Sequence, residues 1–134
     1  MQIGDAQPLF AWLNSQVTQT IDNVGYILKS DSLILGKNLE QAGYERNDNE
    51  AAHHIVAAAD PRAENARLIL QKAGLDINSA FNGVFLNAVY HAGIHTDTYY
   101  EVVDVIMEGA TTFSQVATRL SLIRGMLLSG TMPH

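Results

Sequence analysis

Four of the five histidines in this 134-residue chain form two pairs, and their side chains are the ones best suited to chemistry. His53 and His54 are adjacent, whereas His91 and His95 are four residues apart. An imidazole nitrogen can ligate a metal ion, and near neutral pH it can also accept a proton. Because the chain contains no cysteine, a transition-metal site would use histidine nitrogens and carboxylate oxygens. The pattern predicts a metal site with a general base beside it.

The spacing within each pair indicates which histidines can bind a metal and which can accept a proton. If His53 and His54 lie in a strand, their side chains point to opposite faces, so one can bind a metal while the other accepts a proton from water. The four-residue spacing of His91 and His95 places both rings on one helix face, although Gly93 is equally consistent with a tight turn. Two ligands from this pair and one from the first leave an open coordination position for water or phosphate, as catalytic metal sites require.

Composition and charge limit the class of protein. A chain of 134 residues that is 47% hydrophobic can form one compact domain with its own core. It has no apolar run near the roughly 20 residues that span a bilayer, and no signal peptide is evident at its start, so we expect a soluble chain. The net charge of −6 opposes general nucleic-acid binding, because phosphate contacts need Lys and Arg. A bound cation would nevertheless supply positive charge where a phosphate group of a nucleic acid binds the site.

The elements that position the first pair are predicted from periodicity and capping signals. Apolar residues at steps of three or four predict a helix over about residues 8–29. Asp31-Ser32 predicts a break and an N-cap before a short helix over residues 33–41. The β-branched residues after the histidine pair favour a strand over residues 53–57.

The next helix is predicted to begin at Asp60-Pro61, where an N-cap residue precedes a first-turn proline. Leu68, with Ile69 and Ala73, is predicted to form its apolar side, and Gly74 to end it. The bases in this helix are interpreted as a solvated face, with contacts to backbone phosphates as the functional alternative; they are Arg62, Arg67 and Lys72.

The elements around the second pair follow similar signals. Residues 78–82 are predicted to form a turn and residues 84–86 a short apolar strand. Thr96 or Thr98 is expected to cap a helix that ends at Gly109. A capping box that begins at Thr112 is expected to start the last helix.

Three motifs in order resemble a known family. Residues 52–56 (Ala-His-His-Ile-Val), 82–86 (Asn-Gly-Val-Phe-Leu) and 91–95 (His-Ala-Gly-Ile-His), followed by Tyr99-Tyr100, are similar to the AHH nuclease domain of the HNH/endonuclease VII superfamily. The resemblance covers roughly residues 35–107. The sequence departs from the family pattern at Asn87, where family members often have proline. The resemblance therefore does not predict how the chain leaves the hairpin.

The resemblance implies a mainly helical α+β fold with a small ββα-metal core wrapped by N- and C-terminal helices. Residues 1–34 would form a helical segment that leads into or packs on the core, residues 35–109 the nuclease core, and residues 110–134 a C-terminal helix and tail. All three would belong to a single compact domain.

The resemblance also implies a role for each motif residue. His53, His91 and His95 would be the metal ligands and His54 the general base. Asn82 would lie in the hairpin and either orient His54 or hold the loop. The cofactor would be one divalent metal ion, whether Mg²⁺, Zn²⁺, Mn²⁺ or Ni²⁺.

The motifs and the resemblance together predict a metal-dependent endonuclease that hydrolyses DNA with water and without a covalent intermediate. The family further implies the toxin domain of a bacterial secreted or contact-dependent effector, neutralised by a cognate immunity protein. Such a domain would be made in the bacterial cytoplasm without a signal peptide, be exported within the effector and act in the target-cell cytoplasm. Two alternatives stay open: an RNase with the same site, and a catalytically silent metal-bound interaction module, which the acidic composition favours.

Overall fold

A two-stranded antiparallel sheet carries the first histidine pair. In the computed structural model, which describes residues 24–134 and their side chains from residue 31 onward, β1 (Glu50–His54) pairs with β2 (Gly83–Asn87). The register sets His53 opposite Val84 and His54 opposite Gly83. Both histidines therefore lie at the end of β1, where the chain leaves the sheet.

Helices make up most of the described chain, and the mainly helical α+β fold class is confirmed. The α-helices of this part are α1 (Val24–Gln41), α2 (Glu64–Lys72), α3 (Ala88–Gly93), α4 (Asp97–Met107) and α5 (Phe113–Ser129). Short 3₁₀ turns at Pro61–Ala63 and Ala80–Asn82 precede α2 and β2. Among the described residues, no helix is both long and apolar enough to cross a membrane.

Two predicted boundaries are wrong. Helix α1 runs without a break through Asp31-Ser32, because the Asp31 carboxylate accepts a hydrogen bond from Asn78 Nδ2 at 3.1 Å instead of capping a new helix. Strand β1 ends at His54, because Ile55 N donates to Asn82 O at 2.8 Å and the chain turns into the core there. The helix predicted over residues 8–29 lies outside the described residues apart from its last turns, which belong to α1.

Three helix starts follow the predicted capping signals. The Asp60 carboxylate accepts from Arg62 N ahead of the first-turn proline, and the Thr96 hydroxyl accepts from Tyr99 N. Thr112 and Gln115 form the predicted capping box at the start of α5. Each of these contacts spans no more than three residues, which is why the local sequence predicts them.

The two faces of the sheet pack against different parts of the chain. On the His53 face, which we define by His53, Val84 and Leu86, the two apolar residues join the main core built from α2, α4 and α5. On the His54 face, defined by Ala52, His54 and Phe85, the apolar side chains pack with two leucines of α1, Leu35 and Leu39. Since side chains alternate along a strand, the two histidines of one pair project toward different surroundings.

Gly83 allows α1 to approach the His54 face closely. A Cβ atom at this position would lie 2.6 Å from Leu35 Cδ1 and 3.1 Å from Leu39 Cδ1. Both leucines are fully buried and have little room to shift. A larger residue at Gly83 would push α1 away from the strand that carries the histidines.

Candidate active site

Three of the histidines converge into one cluster, here named the triad. A ring nitrogen from each of His53, His91 and His95 lies within 4.8 Å of the other two. The ring centroids are 5.0 Å apart for His53 and His91, 5.5 Å for His53 and His95, and 4.7 Å for His91 and His95. His91 lies in α3 and His95 just beyond its end, so the structure brings together all three predicted metal ligands.

Hydrogen bonds fix the tautomer of His53. The single proton of the Tyr99 hydroxyl is donated to Ile55 O at 2.7 Å, so the hydroxyl oxygen can only accept from His53 Nε2, which also lies 2.7 Å away. His53 Nε2 therefore carries the ring proton and Nδ1 carries a lone pair. This Nδ1 is buried and has no hydrogen-bond partner among the described residues. An orphaned lone pair at this position fits a metal ligand, since ligating histidines commonly donate their other N–H to a fixed partner.

Burial favours the neutral form of each triad histidine. It lowers the pKa of His53 well below the ordinary value of 6.5, and the nearby His91 and His95 lower that pKa further. Burial is also the largest cause of the lowered pKa of His91 and of His95. Neutral imidazole is the form that binds a metal. The donor set and its protonation therefore suit a divalent cation.

His54 lies apart from the triad and is half-buried on the other face of the sheet. Its Nε2 is 2.8 Å from Asn78 Oδ1. Burial lowers the pKa of His54, while the hydrogen bond to Asn78 and the charges of Asp31 and Asp76 partly offset that effect. A neutral imidazole outside the metal cluster is suited to accept a proton.

Asn82 holds the loop that follows the histidine pair. Its side chain is fully buried, and its Oδ1 accepts from Val56 N at 2.9 Å. Its Nδ2 donates to Val56 O at 3.0 Å and to Ile77 O at 2.9 Å. Of the two roles expected for Asn82, these contacts match loop holding; the expected contact with His54 is made by Asn78 instead.

A family comparison covers the four histidines together with Asn78, Asn82 and Tyr99. The model for AHH, described as a nuclease family of the HNH/ENDO VII superfamily with conserved AHH, matches residues 34–123. The chain belongs to the AHH family. The match includes about two-thirds of the chain, and its conserved AHH corresponds to Ala52-His53-His54. No curated protein and no solved structure matches the chain.

In this AHH family member, Asn87 is the last residue of β2 and the N-cap of α3. Its side-chain oxygen accepts from Val89 N at 2.9 Å and from Tyr90 N at 3.3 Å, so it caps α3. This cap starts the helix that carries His91. The residue that departs from the usual family pattern therefore still begins the helix needed for the site.

Sequence reasoning missed two residues of this AHH site. Tyr99 was named only as following the third motif, and Asn78 was predicted only as part of the turn over residues 78–82, so neither was assigned a role at the site. Their side chains contact histidines that lie 46 and 24 residues away in the sequence. The position of Tyr99, four residues after His95, was a signal that could have been used.

Two of the three basic residues of α2 and its 3₁₀ start, Arg62 and Arg67, are engaged within the chain. Arg62 forms ion pairs with Asp60 at 2.9 Å and Asp97 at 2.7 Å, and its guanidinium lies 4.3 Å from the centre of the Tyr100 ring. Arg67 donates to the backbone oxygens of Ala57 and Asp60. The first role of these two arginines is thus to hold the segment that enters α2.

Proposed function

We propose that this AHH protein is a divalent-metal-dependent endonuclease that hydrolyses DNA phosphodiester bonds. One observation carries the proposal: ring nitrogens of three histidines converge, with His53 Nδ1 buried and without a hydrogen-bond partner among the described residues, while the adjacent His54 lies outside this cluster. Membership of a nuclease family agrees with this arrangement.

The triad would hold the metal ion. His53 would contribute Nδ1, and His91 and His95 one ring nitrogen each. A divalent cation held there would polarise the phosphoryl oxygen and stabilise the charge that develops on the leaving oxygen. Tyr99 keeps the His53 ring in the orientation and tautomer that present the lone pair.

His54 would act as the general base. It accepts a proton from the attacking water, whose oxygen then bonds to phosphorus as the bond to the leaving oxygen breaks. Because water is the nucleophile, no side chain becomes covalently attached and no 2′-hydroxyl is required. DNA is therefore a sufficient substrate, and we propose it as the natural one.

The donor set suggests which metals bind best. Imidazole nitrogen suits Zn²⁺ and Ni²⁺, whereas Mg²⁺ prefers oxygen ligands and gives up its water reluctantly. The triad has no carboxylate among its proposed ligands. We expect Zn²⁺ and Ni²⁺ to raise the unfolding temperature at lower concentrations than Mg²⁺ does.

Cleavage assays with single metals test the proposal. Purified protein is mixed with plasmid DNA or with single-stranded RNA in Mg²⁺, Mn²⁺, Zn²⁺ or Ni²⁺, with an EDTA control and the His54→Ala variant alongside. We expect metal-dependent cleavage of DNA that EDTA and His54→Ala abolish. Cleavage of RNA alone would make the protein an RNase with the same site.

The acidic composition supports a second candidate, a catalytically silent metal-bound interaction module. The net charge of −6 weakens attraction to phosphate backbones. This candidate predicts that metal raises the unfolding temperature while neither nucleic acid is cleaved. That combination of results would replace the nuclease proposal.

We further propose that the domain acts as a toxin within a bacterial secreted or contact-dependent effector and is neutralised by an immunity protein. Export would bring it to the cytoplasm of a target cell. The acidic surface calls for a basic patch on the inhibitor. The product of the neighbouring gene should co-purify with the protein and block cleavage; failure of both would count against the toxin role.

A further inference from the structure

His54 is held by a chain of hydrogen bonds that begins on α1. Asp31 Oδ1 accepts from Asn78 Nδ2 at 3.1 Å, and Asn78 Oδ1 lies 2.8 Å from His54 Nε2. Asn78 is only 4% exposed. Its backbone is fixed separately, since its N–H donates to Asp76 Oδ1 and its carbonyl accepts from Asn38 Nδ2, both at 2.7 Å.

The Asp31 carboxylate sets the donor-to-acceptor direction of these hydrogen bonds. A carboxylate only accepts hydrogen bonds, so it must face the NH₂ end of the Asn78 amide, and the amide oxygen then faces His54. That oxygen also only accepts, so His54 Nε2 must carry the ring proton. A neutral imidazole has one N–H, which leaves the lone pair on His54 Nδ1.

We propose that Asp31 and Asn78 are positioning residues that hold His54 in the tautomer whose Nδ1 accepts the proton from water. The inference rests on the proposed nuclease function. In the step, a proton of water moves to Nδ1, the water oxygen bonds to phosphorus, and the leaving oxygen departs with its electron pair and is protonated from solvent. Asp31 contributes without touching His54, because it prevents the Asn78 amide from turning over.

Turning the amide over shows why Asp31 matters. The NH₂ group of Asn78 would then face His54 Nε2, which would have to accept. The ring proton would move to Nδ1, and the base would be lost at the atom that needs it. The hydrogen bond to the Asp31 carboxylate is therefore the contact of the Asn78 NH₂ group that selects this orientation.

Steady-state kinetics on a DNA duplex with added metal test the proposal. Asn78→Ala should lower kcat by about 10- to 100-fold, a part of the roughly 10²- to 10⁴-fold that a general base contributes. Asp31→Ala should lower kcat by up to about tenfold. Asp31→Asn should restore kcat only in part, because its amide can accept from Asn78 or donate to it and so no longer selects one orientation of the Asn78 amide. KM should stay near the wild-type value throughout.

Asn38→Ala is the matched control. It removes a hydrogen bond to the Asn78 backbone but leaves the His54 contact in place. We expect kcat close to wild type, with any effect limited to thermal stability. An equal loss of kcat in Asn38→Ala and Asn78→Ala would mean that only the fold of the loop matters, and would overturn the positioning role.

A second readout does not depend on turnover. Two-bond ¹H–¹⁵N correlation spectra of the Zn²⁺-loaded protein at mildly alkaline pH distinguish the Nε2–H from the Nδ1–H tautomer of His54. We expect Nε2–H in the wild type and a mixture of both forms in Asp31→Ala. An Nδ1–H form in the wild type would overturn the proposal even if no nucleic acid were cleaved.

The outcomes separate this inference from the function on which it rests. Loss of cleavage in His54→Ala, with wild-type kcat in both Asn78→Ala and Asp31→Ala, would overturn the positioning role and leave the nuclease intact. Absence of cleavage by every protein with every metal would overturn the nuclease, and the spectra alone would then decide how His54 is held.

Discussion

Two neighbouring residues of one strand, His53 and His54, have different surroundings. His53 is 1% exposed, its Nε2 is held by Tyr99, and its Nδ1 lies in the triad without a hydrogen-bond partner among the described residues. His54 is half-buried and its Nε2 is held by Asn78. Strand alternation alone sends the two rings to opposite faces. In both, Nε2 is occupied by a protein oxygen, so each has Nδ1 for chemistry.

The difference explains how two adjacent imidazoles can be given separate tasks. A metal ligand needs neighbouring ligands and a fixed lone pair, whereas a base must not be bound to the cation. Helix α4 supplies Tyr99, which holds His53 on one face, and Asp31 of α1 binds Asn78, which holds His54 on the other. We therefore expect substitutions to separate along these two faces.

The largest expected effect separates the two histidines. His54→Ala should lower kcat about 10²- to 10⁴-fold and leave metal affinity unchanged, because it removes only the base. His53→Ala should abolish metal binding and cleavage together. Isothermal titration with Zn²⁺ and kinetics on the same preparations measure both quantities. Equal loss of metal affinity in the two variants would break the comparison.

Asn82→Ala should damage both faces at once. It leaves Val56 N, Val56 O and Ile77 O without their buried partner, at a cost of roughly 3 kcal/mol in the free energy of unfolding. Urea titration measures this cost. We expect metal affinity and kcat to fall together, unlike in His54→Ala. An unchanged free energy of unfolding would contradict the loop-holding role.

Tyr99→Phe probes the His53 face alone. Loss of the hydroxyl leaves the His53 Nε2–H and Ile55 O unpaired, and we expect metal affinity to fall by about 10- to 100-fold. Tyr44→Phe is the matched control, because its hydroxyl accepts from Arg124 at an exposed position and contacts none of the triad histidines in the described part of the chain. Metal titrations of both variants test the prediction; similar affinities in the two would argue against an anchoring role for Tyr99.

The smallest effect concerns the pH dependence of the metal-free protein. Burial and the nearby triad histidines lower the pKa of His53 in the folded state below its ordinary value of 6.5. Below that pH the unfolded chain binds more protons at this residue than the folded chain does, so the free energy of unfolding falls as the pH falls.

Urea titrations in EDTA between pH 6.5 and about pH 5 measure this loss. His53→Gln should reduce the pH dependence because it removes the group whose pKa is shifted. A pH dependence that is the same in wild type and His53→Gln would show that other groups cause it.

The sequence predicts those parts of the fold whose signals are local. The caps at Asp60, Thr96 and Thr112 involve partners within three residues, and the structure has all three. The convergence of the triad follows from a motif order and from a four-residue spacing. Physical rules for short segments were sufficient in these cases.

The sequence predictions fail where contacts with residues distant in the sequence determine the structure. Asp31 reads locally as an N-cap, but its carboxylate bonds to Asn78, which lies 47 residues away, and the helix continues. Leu68 reads as part of the apolar side of α2, yet it is 44% exposed, and Ala66 and Leu70 supply the buried positions. Neither outcome could be predicted before the packing of the elements was known.

One long-range contact bears on how this nuclease could be moved between proteins. Arg124 of α5 donates to the carbonyl oxygens of Ala80 and Gly83, which flank the Asn82 loop. The family match ends at residue 123, one position earlier. A fusion protein that ended at the family boundary would lack Arg124 and its hydrogen bonds to the Asn82 loop. A segment moved into another protein should therefore include all of α5.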